Sequence, residues 1–406
     1  MSNEMAKRRI LFLFAVILCL AAAVSIVIGC KNAVKYPAGS FDFQYDSAKV
    51  FSLGIDPYEE TLNPSGLQES LGLKKYYSSL QANQFPSMIM MLLPFSLMSP
   101  MVANWVWMIC NLLFSAGVVW LIKKLFFDDS YSMLCQESIF FDSKDALLWY
   151  SIFVSLLFIG LPWRNNIGNG QHTIMAFFFF LLSVYLSNKQ KDISSGTALA
   201  ISFFKYTLTF PLAIYFLYKK KFKTLLVSIG IHILLTIVAA IWLETSVIDM
   251  IIKPLKISSR FTSEGFLDIG AIFGFGKVGM IIILAVILVM IVYVMSGMYK
   301  GTDNELLSLL VLVSLVATYH RPYDYFVLII PVIVFSFKKK DALLRICIWA
   351  ITLYSFVISK ALMVIGIPSR FQHYTDFCFA IILYVGMIIS VVKPSRLLCS
   401  KKKYNK

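Results

Sequence analysis

Apolar residues in this chain come in long unbroken runs, separated by short polar stretches. The runs at 10–30, 101–122, 224–243, 269–297 and 376–392 are each about long enough to cross a hydrocarbon core, which takes ~20 helical residues. Shorter apolar pieces lie between them. Residues 148–163 are predicted to run outward and 172–187 to return, with 164–171 as the loop between. Two short helices are predicted to meet near Lys205 and Pro211. Broken helices of that kind are tolerated at membrane depth where they line a polar cavity. Residues 224–243 run out, 244–268 form an outer loop, and 269–297 return. Segments 305–319, 325–337, 343–363 and 376–392 complete the alternation. The pattern predicts an all-α polytopic membrane protein of about 11–13 transmembrane helices. It reads as one integral membrane domain over 1–406, with a long first loop at 31–84 and a basic tail at 393–406.

Residues 86–122 admit two readings. Pro86, Pro94 and Pro100 interrupt the first half, so it forms either a re-entrant, half-length piece or a full crossing. The second choice would move 123–147 to the other side of the membrane. The first apolar run has a basic start and no clear cleavage site, which predicts a retained signal-anchor helix.

Composition sharpens the class. The chain is 59% hydrophobic and 15% charged, against about a quarter charged in soluble domains, and its mean hydropathy is +0.76. The net charge of +15 would suggest nucleic acid in a soluble protein. Here the cations sit in clusters between apolar runs, at Lys7–Arg9, Lys123–Lys124, Lys219–Lys221, Lys338–Lys340 and Lys401–Lys403. That is the positive-inside pattern, which assigns these clusters to the cytoplasmic side and gives no nucleic-acid surface. The seven cysteines form no CxxC or metal-ligand spacing, which argues against a disulfide scaffold or a zinc site. Gly274-Phe-Gly276-Lys-Val-Gly279 matches GxGxxG, but it follows no strand and opens a membrane helix, so a dinucleotide site fails its context test.

With this parity the polar groups inside apolar surroundings share the outer face: Asp42 and Asp46, the stretch from Arg164 to Gln171, Lys205, and His320 to Tyr325. Ionisable groups at membrane depth cost about 2.5–3.5 kcal/mol each on insertion scales and are functional candidates by default. Two carboxylates among several cations suit a general base beside a phosphate leaving group. Asp42, directly after the first helix, is the candidate base; the alternative is a helix N-cap. Asp46, one helical turn on, is the reserve. Arg321 suits a phosphate, and its alternative is pairing with Asp324. His320 either donates to the phosphate or orients the base. Lys205 lies in an otherwise apolar stretch, and its alternative is a snorkelling lysine. Asn169, Gln171, Tyr45 and Asp324 are candidate substrate contacts.

At these residues the chain resembles the family-87 glycosyltransferases, a branch of the glycosyltransferase-C superfamily that includes polyprenyl-phosphate-mannose-dependent mannosyltransferases. The resemblance rests on Asp42-Phe-Gln-Tyr-Asp-Ser-Ala-Lys with Leu53-Gly-Ile-Asp-Pro-Tyr58; on Gln84-Phe-Pro-Ser with Leu93-Pro94; on Gly170-Gln171 with Lys205-Tyr-Thr; and on Tyr319-His320-Arg321-Pro-Tyr-Asp324. It covers residues from about 40 to about 330. Gln84–Ser87 lacks the second proline of the family's Tyr-Pro-Pro stretch. The resemblance implies an inverting transfer of mannose or another hexose or pentose from a polyprenyl-phosphate donor to a lipid or glycan acceptor. It implies Asp42 as base, His320 and Arg321 with Lys205 on the leaving phosphate, and no metal or other cofactor. The site would face outward, with a bacterial inner membrane as the expected setting. Two other classes fit a bundle with a basic cavity: a transporter or lipid-linked-sugar flippase, though no inverted repeat is visible, and a surface-polysaccharide polymerase or ligase.

Overall fold

The computed structural model describes residues 2–35, 43–72, 80–128, 145–258, 277–336, 342–358 and 365–366. These residues are helical with no β-strand, the all-α polytopic arrangement that the apolar runs predict. Among the described residues, four helices are long and apolar enough to cross a membrane, and a fifth span is counted if one bent pair is taken as a single span. Shorter apolar segments at Thr173–Asn188, Pro322–Ser336 and Leu343–Phe356 accompany them.

Helix α1 (Ser2–Lys35) is followed by short helices α2 (Tyr45–Ser52), α3 (Pro57–Leu62) and α4 (Leu67–Ser70). The described part of the first loop is therefore structured. Asp56 caps α3 through the backbone N–H groups of Tyr58 and Glu59. Next come α5 (Pro86–Met91), α6 (Leu93–Ser96) and α7 (Pro100–Ile122). Only α7 in this region spans a membrane, and a π-helical turn over Lys123–Asp128 extends it. Of the two readings of 86–122, the structure takes the half-length one.

The run after residue 145 is α8 (Ala146–Ile159) and α9 (Leu161–Gly168), bent by 52° at Gly160. The expected loop at 164–171 is thus mostly helix, because Pro162 starts a new helix without needing a backbone donor. Then follow α10 (Thr173–Asn188) and α11 (Asp192–Ser202), a 3-10 turn over Phe203–Lys205, α12 (Tyr206–Leu212) and α13 (Ile214–Tyr218). The predicted break falls at Lys205, whereas Pro211 lies inside α12. The rest is α14 (Phe222–Trp242), α15 (Val247–Ser258), α16 (Lys277–Met295), α17 (Asp303–Ala317), a 3-10 segment over Pro322–Leu328, α18 (Ile329–Ser336) and α19 (Ala342–Leu353). The predicted return at 376–392 lies outside the described residues.

Contacts fix the directions. Arg8 approaches Asp145 at 3.2 Å without hydrogen-bond alignment, Cys19 meets Ser155 at 3.2 Å, and Gly29 faces Trp163, so α1 runs parallel to α8–α9. Phe114–Phe178 and Trp120–Tyr185 ring contacts set α7 parallel to α10. A Cβ on Gly117 would lie within 2.6 Å of Phe178 atoms, so glycine is needed for this approach. The ion pairs Lys219–Asp303 and Lys221–Asp192 lie at the end where α1 starts. Lys205 and residues 318–324 lie at the opposite end, where α11 and α17 finish.

Two helix ends and one internal proline leave three carbonyls for inter-helix contacts. Phe158 lies in the last turn of α8, before the break at Gly160, and its carbonyl accepts from Ser25 Oγ on α1 at 2.7 Å. Ser96 ends α6, and its carbonyl accepts from Lys49 Nζ on α2 at 3.1 Å. Pro211 lies inside α12 and has no N–H, so the Thr207 carbonyl four residues earlier loses its helical donor and accepts from Thr318 Oγ1 at the end of α17. At the surface, α15 is held to α3 by Lys253, which reaches Asp56 and Glu59 at 2.8 Å each.

Thr318→Val keeps the shape of the side chain and removes the hydroxyl that serves Thr207. A loss of roughly 1–3 kcal/mol is expected, read as a lower thermal midpoint in detergent. An unchanged midpoint would mean that Thr207 is served by another donor.

Candidate functional site

The site is built on the helix breaks at one end of the bundle. After α9 the chain turns through Asn169 and Gly170, whose φ of 64° is a left-handed value that glycine adopts without strain. The turn closes with Gln171 N–H donating to the Asn166 carbonyl at 2.9 Å. Trp107 Nε1 on α7 donates to the Gly170 carbonyl at 2.8 Å. Asn169 is exposed, while Gln171 is buried.

Thr173, the first residue of α10, donates its hydroxyl to Asp324 Oδ1 at 2.6 Å. The same oxygen takes the Lys205 ammonium at 2.7 Å, with the lysine side chain 15% exposed and the carboxylate 2%. The other carboxylate oxygen lies 3.2 Å from His320 Nδ1 and accepts the Arg321 backbone N–H at 3.1 Å. Lys205 also lies over the Tyr323 ring, 4.3 Å from its centroid, and Asn166 Nδ2 donates to the Tyr323 carbonyl at 2.8 Å.

The structure thus brings together Lys205, His320, Arg321 and Asp324, but in a different order from the one expected. Asp324 pairs with the Lys205 side chain and takes only the backbone of Arg321. The His320 ring is buried, with Nε2 donating to the Ser314 carbonyl at 2.9 Å. It supports Asp324 from behind. Arg321 is partly buried, and its Nε donates to Tyr319 OH at 2.8 Å. Lys205 by its ammonium and Arg321 by its backbone N–H thus stand around one carboxylate.

The first loop reaches this cluster through aromatic contacts. Phe43 stacks on Trp107 at 5.0 Å, and Trp107 meets the His172 ring edge-on at 5.2 Å. His172 packs on Phe204 at 4.5 Å, beside Lys205. A backbone hydrogen bond to Phe43 ties the His172 ring to the first loop. Asp42, which precedes Phe43, lies outside the described residues. Asp46 is buried in the first turn of α2, with Oδ1 accepting from the Ser47 N–H at 2.9 Å. Tyr45 is buried too, and its hydroxyl donates to the Met98 carbonyl at 2.7 Å, where it anchors α2 to the chain entering α7.

Sequence reasoning passed over His172 and Thr173. The available signal was their place directly after Gly170-Gln171, at the mouth of an apolar helix. On the far side of α6, whose Phe95 meets Phe43 edge-on at 5.3 Å, an apolar recess of about 490 Å³ lies between Phe51, Met90, Leu93, Pro94, Val238 and Trp242.

Asp324→Asn leaves the Lys205 ammonium facing an amide in a largely buried setting. A loss of roughly 3–5 kcal/mol is expected, seen as a lower unfolding temperature of the purified protein. Replacing the pair together, Lys205→Met with Asp324→Leu, recovers most of that loss. A single Asp324→Asn protein that unfolds at the wild-type temperature would show that the pair does not hold the three breaks.

The geometry can be set beside known proteins. Comparisons with curated proteins and with solved structures give no match. The profile described as glycosyltransferase family 87 matches residues 86–322, which is more than half of the 406 residues. The matched stretch includes α5 through Arg321 and so holds Lys205, His172 and His320. This integral membrane protein belongs to glycosyltransferase family 87.

Proposed function

We propose that the protein moves a sugar from a polyprenyl-phosphate donor to a hydroxyl of a lipid or glycan acceptor, with inversion, at the membrane face away from the cytoplasm. The observation that carries this reading is that two cations from separate helix ends, Lys205 and Arg321, stand in one cluster around Asp324. A polyprenyl-phosphate sugar is a phosphodiester with one negative charge, and it gains a second as the glycosidic bond breaks. A fixed cation placed where charge develops favours the transition state over the bound donor.

In this reading the acceptor oxygen attacks the anomeric carbon opposite the phosphate. Its proton passes to Asp42, and the bond between the anomeric carbon and the phosphate oxygen breaks. The electron pair leaves with the polyprenyl phosphate, which Arg321 holds. Lys205 adds to the local field and is itself set by Asp324, with His320 behind it. Asp46 is the reserve base, and Asn169, Gln171 and Tyr45 remain proposed neighbours of the substrate. The apolar recess beside α6 suits the first isoprene units of the donor.

The outward assignment is supported by the basic residues Arg8, Lys219 and Lys221, which lie at the end opposite the cluster. In a bacterial plasma membrane the site would then face away from nucleotide sugars, so a lipid-linked donor is the consistent choice. The sugar is mannose or a related hexose or pentose by the same reading.

The test is transfer by purified protein in nanodiscs, with radiolabelled polyprenyl-phosphate sugars and a lipid extract as acceptor. Asp42→Asn is expected to lower turnover by about 10²–10⁴-fold while donor binding persists. Near-normal turnover would move the base to Asp46. Arg321→Ala is expected to weaken donor binding about 10- to 100-fold. Unchanged affinity would move the phosphate contact to another cation.

A further inference from the structure

His172 has one ring nitrogen engaged and one unused. The residue is 2% exposed and lies in the turn between α9 and α10. Its ring is held on one side by Phe204 and met at its edge by Trp107, with a hydrogen bond to the Phe43 backbone. Its Nε2 is buried without a partner. Since Nε2 is unpartnered, the Phe43 bond runs through Nδ1, and a carbonyl can only accept. Nδ1 therefore carries the proton. The neutral ring then presents Nε2 as a bare lone pair, an acceptor with nothing donating to it. Burial and the nearby Lys205 charge both disfavour the protonated ring and push its pKa down.

A buried acceptor left unpaired is costly, and such atoms in native structures call for an account. The surroundings narrow the chemistry of the missing donor. The ionised oxygens of a phosphodiester only accept, so the phosphate cannot supply it. A hydroxyl can. The ring sits between Phe43 of the first loop and Phe204, the neighbour of Lys205.

We propose that His172 Nε2 accepts a hydrogen bond from a sugar hydroxyl bound in the transfer site, and that it is a sugar-binding residue of this enzyme. The proposal rests on the transfer reading for the identity of the site. It requires only that a sugar enter, whatever carries it. A hydroxyl donor meeting a buried acceptor also gives selectivity. An analogue lacking that hydroxyl leaves Nε2 unpaired and is rejected.

The experiment uses the full chain in nanodiscs with ¹⁵N-labelled histidine. The chain has four histidines, so the His172 signals can be assigned by their loss in His172→Asn. Three probes are added in turn: polyprenyl-phosphate hexoses, bare polyprenyl phosphate, and methyl glycosides of the same hexoses. The expected result is an Nε2 resonance that moves with a sugar-bearing probe and stays put with bare polyprenyl phosphate. Movement with methyl glycosides alone would support the sugar contact while removing the lipid-donor reading. No movement with any probe, or equal movement with bare polyprenyl phosphate, would overturn the proposal.

His172→Asn gives a second readout. Its amide N–H can replace Nδ1 toward Phe43, but it has no counterpart to Nε2. Affinity for the sugar-bearing probe is expected to fall about 10- to 100-fold, with bare polyprenyl phosphate affinity unchanged. Equal affinities in the two proteins would overturn the assignment. If the variant does not fold, the spectrum of the unmutated chain still decides.

Discussion

Every backbone polar group at membrane depth needs a partner from the protein itself, and this chain interrupts its helices where that demand is hardest to meet. Each interruption is answered by a side chain from another helix. The Phe158 and Ser96 carbonyls at helix ends and the Thr207 carbonyl one turn before Pro211 accept from Ser25, Lys49 and Thr318. Carbonyls in irregular stretches and at helix ends take aromatic donors: Gly170 takes the Trp107 indole, Gln84 the Tyr58 hydroxyl, and Phe51 the Trp242 indole. These bonds are the joints of the bundle. They set where one helix stops against the next, and so they set where Lys205, His172 and Arg321 stand.

The ionic core of the site obeys the same rule with charges. Asp324 collects a lysine, a threonine hydroxyl, a histidine and a backbone N–H, each from a point where regular helix ends. Buried ion pairs contribute little net stability compared with apolar packing of the same volume. Their value here is geometric, because the carboxylate fixes three breaks relative to one another. A cationic surface built on three separate helix ends would otherwise drift with each of them.

Much of the architecture is legible in the sequence because membrane helices announce themselves by length and apolarity alone. The basic clusters locate one end of the bundle, and Lys205 stands out as a cation in an apolar stretch. Single-residue roles are less legible, because they depend on partners far away in the chain. Tyr45 resembles a substrate contact, yet its hydroxyl belongs to the Met98 carbonyl. Arg321 and Asp324 are close enough in sequence to suggest each other, yet the carboxylate pairs with Lys205, 119 positions earlier. The 52° bend after Ile159 hides Arg164 to Gly168 in a helix that reads as a loop. His172 shows nothing in composition. Only packing reveals that one of its nitrogens is left over.

Most contacts of α1 are with helices well downstream of it. Its Cys19 and Ser25 meet Ser155 and Phe158, 136 and 133 residues downstream. At a synthesis rate of roughly 5–20 residues per second, that separation takes roughly 7–27 s to bridge. Within this interval the first helix has α7 as its available neighbour, through Asn104 Nδ2 donating to the Ala33 carbonyl at 3.1 Å. Its large apolar residues, among them Ile10, Phe12, Leu13, Ile17, Leu20, Val24 and Val27, stay exposed to lipid even in the finished fold. A helix of this composition is stable alone in the bilayer, and Ser25 can serve its own helix backbone until the Phe158 carbonyl arrives. The order of synthesis thus bears on the site, since Trp163, just past the bend, packs against Gly29 of the part of the chain made first.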